Sequence, residues 1–292
     1  MQELLQQDPA MPLGELSAAL DCSRSGYHAH RRKARRKRRS QDASLALQIR
    51  ASFLAARGVY GCVRIMHALR QQGLRHGKNR ISKLMRRHGL RVQQKRRFVP
   101  RTTIADKASP VAPNHLLERP AVRRLNEVWL TDMTYIPTAE GWLYLAAEMD
   151  ALSRRIIGWC TLPSLDTSLP AAALDRALQT RSSASLPDLL HHSDRGCQYT
   201  SAAFRRRLEL SSITQSMSRK ANCYDNAAIE SFWATLKAEC FGSFIPASRS
   251  IAHAMIFDYI ETFYNPIRLH SSLNFLSPIA FESSLTTTNN NI

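Results

Sequence analysis

The chain has 292 residues, 44% hydrophobic and 22% charged, the proportions of a soluble globular protein of one or two domains. Lys and Arg number 41 against 23 Asp and Glu, a formal net charge of +18. No apolar run approaches the roughly 18 residues of a membrane span, and the opening residues do not read as a signal peptide, so no membrane partner is expected.

The excess charge is concentrated. Residues 1–110 hold 25 Lys and Arg against 6 Asp and Glu, whereas the rest hold 16 against 17. A basic module joined to a neutral one predicts that the first grips a polyanion while the second does something else. The basic stretches lack the Leu-rich and aromatic faces that interfacial helices bury, so nucleic acid is expected rather than a membrane surface. Six cysteines, Cys22, Cys62, Cys160, Cys197, Cys223 and Cys240, show neither CxxC nor zinc-finger spacing and read as reduced structural thiols of a cytosolic protein.

In chain order, "PLGELSAALDCSRSGYHAH" predicts a short helix, a turn at Asp21 to Ser23, and a second helix capped by Ser23. Eight of the nine residues from 31 to 39 are basic: Arg31, Arg32, Lys33, Arg35, Arg36, Lys37, Arg38 and Arg39. Such a block repels itself, so an extended arm that waits for phosphate is expected. Leu45, Ile49, Phe53 and Leu54 recur at helical spacing, as do Cys62, Ile65, Met66 and Leu69 after "GVYG", and Gly73 suits a left-handed cap. In "GKNRISKLMRRHGL", Ile81, Leu84 and Met85 should face inward and leave Lys83, Arg86 and Arg87 outside. Two helices across a Gly-containing turn, the second bearing Arg, suit a DNA-reading pair; a bundle with a solvated basic face has the same pattern. The expected order is a helical segment and basic arm at 1–40, a helix-turn-helix domain at 41–97, and a Pro-rich linker at 98–117.

Beyond the linker, "EVWLTDMTYIP", "GWLYLAAEMD" and "RRIIGWCTL" read as three consecutive strands of an antiparallel meander. "SLPAAALDRALQT" is helical, "DLLHHSD" a buried strand, "SAAFRRRLEL" a helix, "ITQSM" a strand, and Tyr224 to Cys240 a strong helix. The order βββαβαβα predicts an α/β (α+β) mixed sheet flanked by helices over residues 118–285, closed by a helix from Ser248 to Asn265. A disordered tail is expected at 286–292. Trp129, Trp142, Trp159 and Trp233 read as core.

Three carboxylates stand out. Asp132 lies in the first strand, Asp194 where a buried strand enters the turn "RG", and Glu230 beside the apolar stripe Ile229, Phe232, Trp233, Leu236, Cys240, with Asn226 and Lys237 on nearly the same helix face. Cleaving and joining phosphodiesters needs two oxygens activated on opposite sides of one phosphorus; two divalent ions roughly 3.5–4 Å apart do this, and hard Mg²⁺ or Mn²⁺ asks for carboxylates. Taken singly, Asp132 also fits a hydrogen-bonded core aspartate, Asp194 an ordinary turn, and Glu230 a solvated helix edge. His191 and His192 adjoin Asp194, but imidazole is not what Mg²⁺ prefers, and they read as packing or supporting groups.

Thirty-five residues separate Asp194 from Glu230. The stretches "VWLTDMTYIPTAEGWLYLAAEMDALSRRIIGW", "HHSDRGCQYTS", "SMSRKANCYDNAAIESFWATLKAEC" and "YIETFYNPIRLHSSLNFLSP" resemble the OrfB-type transposases of bacterial insertion sequences, relatives of the retroviral integrase (DDE) catalytic core. "VYGCVRIMHALRQQGLRHGKNRISKLMRRHGLR" is similar to the helix-turn-helix segment before that core, and "SRSGYHAH" to the family's usual opening. The resemblance implies a ribonuclease-H-like core in which Asp132, Asp194 and Glu230 hold two Mg²⁺ (or Mn²⁺) ions, with Lys237 on the element's end DNA. It further implies nicking at the element's ends and strand transfer by the freed 3′-hydroxyl, without a covalent enzyme intermediate. Expected partners are double-stranded DNA, further copies of the chain in a homo-oligomer, and an upstream-frame protein or fusion, since no heptad zipper appears here; a cytoplasmic, nucleoid-associated bacterial protein is implied. Asn274 stands where the family has Gly, both tolerating a left-handed turn; Cys197, Ala221 and Val63 replace the usual Ser, Gly and Arg. A nuclease without joining activity, or a catalytically idle DNA-binding regulator, shares the same residues.

Overall fold

The computed structural model describes residues 10–92, 112–116, 121–181, 186, 188–218 and 226–289, except the side chains of residues 34, 35, 288 and 289. Most of the expected linker, Ala221, Cys223 and Tyr224 lie outside the described residues. The chain forms two compact units, Met1–Val92 and Gln93–Ile292.

The first unit is all helical: α1 (Leu13–Ala19), α2 (Arg24–Ala55), α3 (Cys62–Gln71) and α4 (Lys78–Arg87). Ser23 caps α2 as expected, its hydroxyl accepting the Gly26 N–H at 3.0 Å. The basic block at 31–39 is not an extended arm; it is part of one 32-residue helix. Arg and Lys are good helix formers, and a helix capped at Ser23 and anchored downstream by buried Leu45, Ile49 and Phe53 propagates through the block from existing turns. Leu54 leaves the buried stripe and is 62% exposed, because Leu45, Ile49 and Phe53 already define the inward face. Ile65, Leu69, Ile81, Leu84 and Met85 complete this core, while Lys83, Arg86 and Arg87 are exposed as expected. Gly73 ends α3 at φ +80°, a conformation costly for any side chain. Arg80 bonds Asp42 at 2.9 Å, tying α4 to α2 and holding the Asp42 carboxyl below its ordinary range.

The second unit is a five-stranded mixed sheet in the order β3-β2-β1-β4-β5. β1 (Val128–Thr138), β2 (Gly141–Asp150) and β3 (Ile156–Leu162) form the expected meander; β4 (Leu190–Ser193) runs parallel to β1, and β5 (Thr214–Met217) parallel to β4. α5 (Ser168–Arg181) links β3 to β4, and the short α6 (Cys197–Thr200) and α7 (Ala202–Leu210) link β4 to β5. One sheet face packs Trp129 and Met217 against Leu174 and Ala177 of α5 and Phe204 and Leu208 of α7. The other receives α8 (Ala227–Leu236), α9 (Arg249–Phe257) and the π-helical turn Asp258–Tyr264. Gly158 lets α5 lie directly on β3, since a Cβ there would meet the Ala173 carbonyl oxygen.

Three expectations are corrected here. Trp142 is 46% exposed, not core: it sits at the β1–β2 hairpin end opposite Pro137, with its ring 4.7 Å from that of Tyr135. The helix expected from Tyr224 to Cys240 is α-helical only over Ala227–Leu236 and continues as the π-helical turn Lys237–Phe241. The tail is helical through residue 289, because α10 (Pro278–Asn289) is anchored by Glu282, which accepts from Ser153, Arg155 and Arg181; residues 290–292 lie outside the described residues. Asn274 adopts the left-handed conformation, φ 52°. No helix among the described residues is long and apolar enough to cross a membrane, and the five described cysteines are free thiols.

Candidate active site

The β1–β4 register brings the first two carboxylates together. Leu130 pairs with His192, so two residues further along parallel strands Asp132 and Asp194 fall side by side. Asp132 is mid-strand, whereas Asp194 follows the end of the shorter β4, at a strand's carboxyl edge where open sheets present functional groups. The Gly196 N–H donates to Asp194 Oδ1 at 2.9 Å and shapes the turn.

The third comes from α8. Its stripe of Ile229, Phe232, Trp233 and Leu236 is buried against the sheet, leaving Glu230 exposed at the stripe's border. Trp233, three residues on, reaches β1 and donates its indole N–H to Asp132 Oδ2 at 2.9 Å.

The charges of the three groups act on one another. Burial and the neighbouring Asp194 push the Asp132 carboxyl up to about 7; Glu230 adds to this, while the Met133 amide and Trp233 indole oppose it. Asp194 is raised by burial against the Gly196 hydrogen bond, and Glu230 by burial and then by Asp194. An acidic cluster held in this way favours a cation, and an all-oxygen donor set suits a hard divalent ion. Among the described residues no three His, Cys, Asp or Glu are gathered into a ready-made ion cage, so an ion shared by all three would draw them closer.

Thr131, next to Asp132, joins the three carboxylate-bearing elements. Its hydroxyl lies 3.2 Å from the Tyr199 hydroxyl on α6, five residues after Asp194, and its carbonyl accepts from Asn226 Nδ2 at 3.2 Å, four residues before Glu230. Asn226 is buried, and its Oδ1 has no hydrogen-bond partner among the described residues. Beneath them, fully buried His191 and Glu148 pair at 3.1 Å across β4 and β2, and His192 Nδ1 meets Ser216 Oγ at 2.9 Å. Both histidines are thus interior hydrogen-bonding groups.

Lys237 opens the π-helical turn, a feature frequent at functional sites, with its ammonium 4.9 Å from the Tyr135 ring centre. Burial pulls this ammonium below its ordinary range, and Asp132 pulls it back. Lys237 therefore lies within electrostatic reach of Asp132. Arg31, Arg32, Lys33, Arg36, Lys37, Arg38 and Arg39 on α2, with Lys83, Arg86 and Arg87 on α4, are exposed in the first unit. Thr131, Tyr199 and Glu148 escaped the sequence reading, and Trp233 was read as core, as it is, without its bond to Asp132; its place one helical turn from Glu230 was the one positional signal for that role.

A mixed sheet of this order with acidic groups on adjacent parallel strands and a crossing helix defines an integrase-type polynucleotidyl transferase. Two families described as Integrase core domain match residues 122–223 and 211–278, and an HTH-like domain matches 40–98. The insertion element IS600 uncharacterized 31 kDa protein of Shigella sonnei is 40% identical over 89% of this chain and 94% of its own length. The transposase InsF for insertion sequence IS3A of Escherichia coli (strain K12) is 39% identical over 80% of each. The catalytic core domain of BIV integrase aligns over 56% of this chain and 99% of its own, at 16% identity and a TM-score of 0.38. The chain belongs to the insertion-sequence transposases with an integrase core domain.

Proposed function

We propose that this transposase nicks DNA at the ends of its insertion sequence and joins the freed 3′-hydroxyl to a second phosphodiester, with Asp132, Asp194 and Glu230 as catalytic carboxylates. The observation that carries this is the strand register that sets Asp132 on β1 beside Asp194 at the end of β4, with Glu230 on α8, whose Trp233 bonds Asp132. These carboxylates would hold two Mg²⁺ or Mn²⁺ ions, whose chemistry is to activate the attacking and leaving oxygens of an in-line displacement.

Trp233 keeps Asp132 oriented and favours its charged form. Asn226 fixes the start of α8 to β1 and so supports Glu230. Lys237 offers a cation to a DNA phosphate beside the reacting bond. The first unit grips duplex phosphates through the block at 31–39, Arg35 included, and through Lys83, Arg86 and Arg87. Functional segments follow this division of labour: an entry segment to residue 40 that continues through α2 into the helix-turn-helix at 41–97, a linker at 98–117 and the core at 118–285. A homo-oligomer holding two element ends, working with an upstream-frame protein, suits a reaction that couples two ends.

The test supplies the purified chain, together with its upstream-frame protein, with a duplex carrying the element's terminus, a target duplex and Mg²⁺. Nicked and joined products are expected, and Asp132→Asn, Asp194→Asn and Glu230→Gln should each reduce both by about 10³-fold while leaving DNA binding intact. Hydrolysis without joining would overturn strand transfer, and full activity in any of these variants would overturn that residue's role.

A further inference from the structure

The basic stretch of α2 has a geometry that its composition alone did not reveal. From His28 to Lys33 and from Arg36 to Gln41 every residue is exposed, and the first buried position further along is Leu45. Among the described side chains, more than three helical turns are therefore solvent-exposed on every side, with only the local contacts of His28 and Arg31 to the Tyr27 ring. Successive helical residues are about 100° apart, so Arg31, Arg32, Lys33, Arg36, Lys37, Arg38 and Arg39 surround the axis and leave no arc wider than about 100° without a cation.

A helix that lies across a phosphate backbone needs one basic face and packs the other on its own body. Positive charge around the whole circumference is complementary to a channel with phosphates on both walls. The major groove of B-form DNA, about 12 Å wide, admits an α-helix and is lined in that way; the minor groove, about 6 Å wide, does not admit one. The deep, narrow major groove of A-form RNA is closed to it as well. The fourteen residues from 28 to 41 measure about 21 Å, or roughly six base pairs. Like charges four apart, such as Arg32 and Arg36 or Lys33 and Lys37, repel along the free helix, and a groove's phosphates neutralise them.

We propose that residues 28–41 of α2 enter the major groove of duplex DNA as a helix. This rests on the reading of the first unit as a DNA-gripping module and goes further in naming the element, its conformation and the groove.

The test compares Arg36→Ala with Arg36→Pro in the full chain. Both remove one charge, and only proline interrupts the helix, nine residues before the first buried anchor. Affinity for a 30-base-pair duplex should fall about threefold for Arg36→Ala and at least thirtyfold for Arg36→Pro, with far-ultraviolet circular dichroism confirming that each variant is otherwise folded. Dimethyl sulfate footprinting gives a second readout: wild type should protect guanine N7 in the major groove, and Arg36→Pro should lose that protection. Equal losses for the two variants, or protection of adenine N3 in the minor groove instead, would overturn the groove assignment while leaving DNA gripping intact. A wild-type chain that fails to bind duplex DNA at low salt would overturn the gripping role itself.

Discussion

Trp233 and Asp132 share one hydrogen bond, 2.9 Å from indole nitrogen to Oδ2, that connects α8 to the middle of β1. It is the side-chain donor that opposes burial and Asp194 in setting the Asp132 carboxyl near neutrality. Replacing Trp233 with Phe keeps most of the packing and removes the donor, so Asp132 moves further up and its charged form becomes scarcer at pH 7. The half-saturating Mg²⁺ concentration for joining should rise roughly three- to tenfold at pH 7 and return toward wild type at pH 9, a shift on the order of one pH unit. An identical Mg²⁺ requirement at both pH values would show that the bond only orients.

The same carboxyl makes the metal-free protein sensitive to pH. In the unfolded chain Asp132 titrates near 3.8, and in the folded chain at about 7, so the folded state holds its proton more tightly. That contribution to stability is complete below about pH 4 and is lost as pH rises through 7; Asp194 and Glu230, also raised, act in the same direction. Between pH 5 and 8, metal-free wild type should lose roughly 2–3 kcal/mol relative to Asp132→Asn, read from urea denaturation, and added Mg²⁺ should restore most of it at pH 8. Parallel stability profiles for the two proteins would refute this coupling.

The hydroxyl pair of Thr131 and Tyr199 ties the turn after Asp194 to the residue before Asp132. Tyr199→Phe deletes one oxygen in a fully buried setting, while the Thr131 hydroxyl keeps its bond to the Ala147 carbonyl at 3.2 Å. A stability cost of about 1 kcal/mol is expected. If the pair positions Asp194, joining should also slow about tenfold with a higher Mg²⁺ requirement and unchanged DNA affinity. Lost stability with an unaltered Mg²⁺ requirement would reduce the pair to a packing role.

The order of strands and helices along the chain was legible from local pattern, whereas Asp132, Asp194 and Glu230, each of which taken singly also fits a structural role, were singled out together through the family resemblance. What escaped depends on partners distant in sequence. Glu148 looks like a stray charge in an apolar strand until His191, 43 positions on, is placed beside it. Thr131 reads as an ordinary strand former, and nothing local announces that Tyr199 and Asn226 converge on it. The block at 31–39 was misread for the opposite reason: local repulsion argued for an extended chain, but the cap at Ser23 and the anchors from Leu45 onward decide its conformation. In the tail, weak helix formers such as Thr286 and Thr287 are held by Glu282, whose burial would raise it but whose Arg181, Ser153 and Arg155 partners bring it below its ordinary range.

Gly158 tests how closely the sheet depends on α5. A Cβ at this position would overlap the Ala173 carbonyl oxygen and approach Ala177 N to 2.5 Å. Both are backbone atoms, so no side-chain rotation relieves the clash, and α5 must lift from β3 and weaken the contacts of Ala173, Leu174 and Ala177, all fully buried. Gly158→Ala should cost about 3 kcal/mol and lower the melting temperature by roughly 6–12 °C. Shortening a neighbour distinguishes this from side-chain crowding: the Ala177 Cβ would lie 2.8 Å from the new methyl, yet a second change of Ala177→Gly leaves the carbonyl in place and should not restore stability. A melting temperature within 2 °C of wild type for the single variant, or recovery in the double variant, would show that the helix has room to adjust.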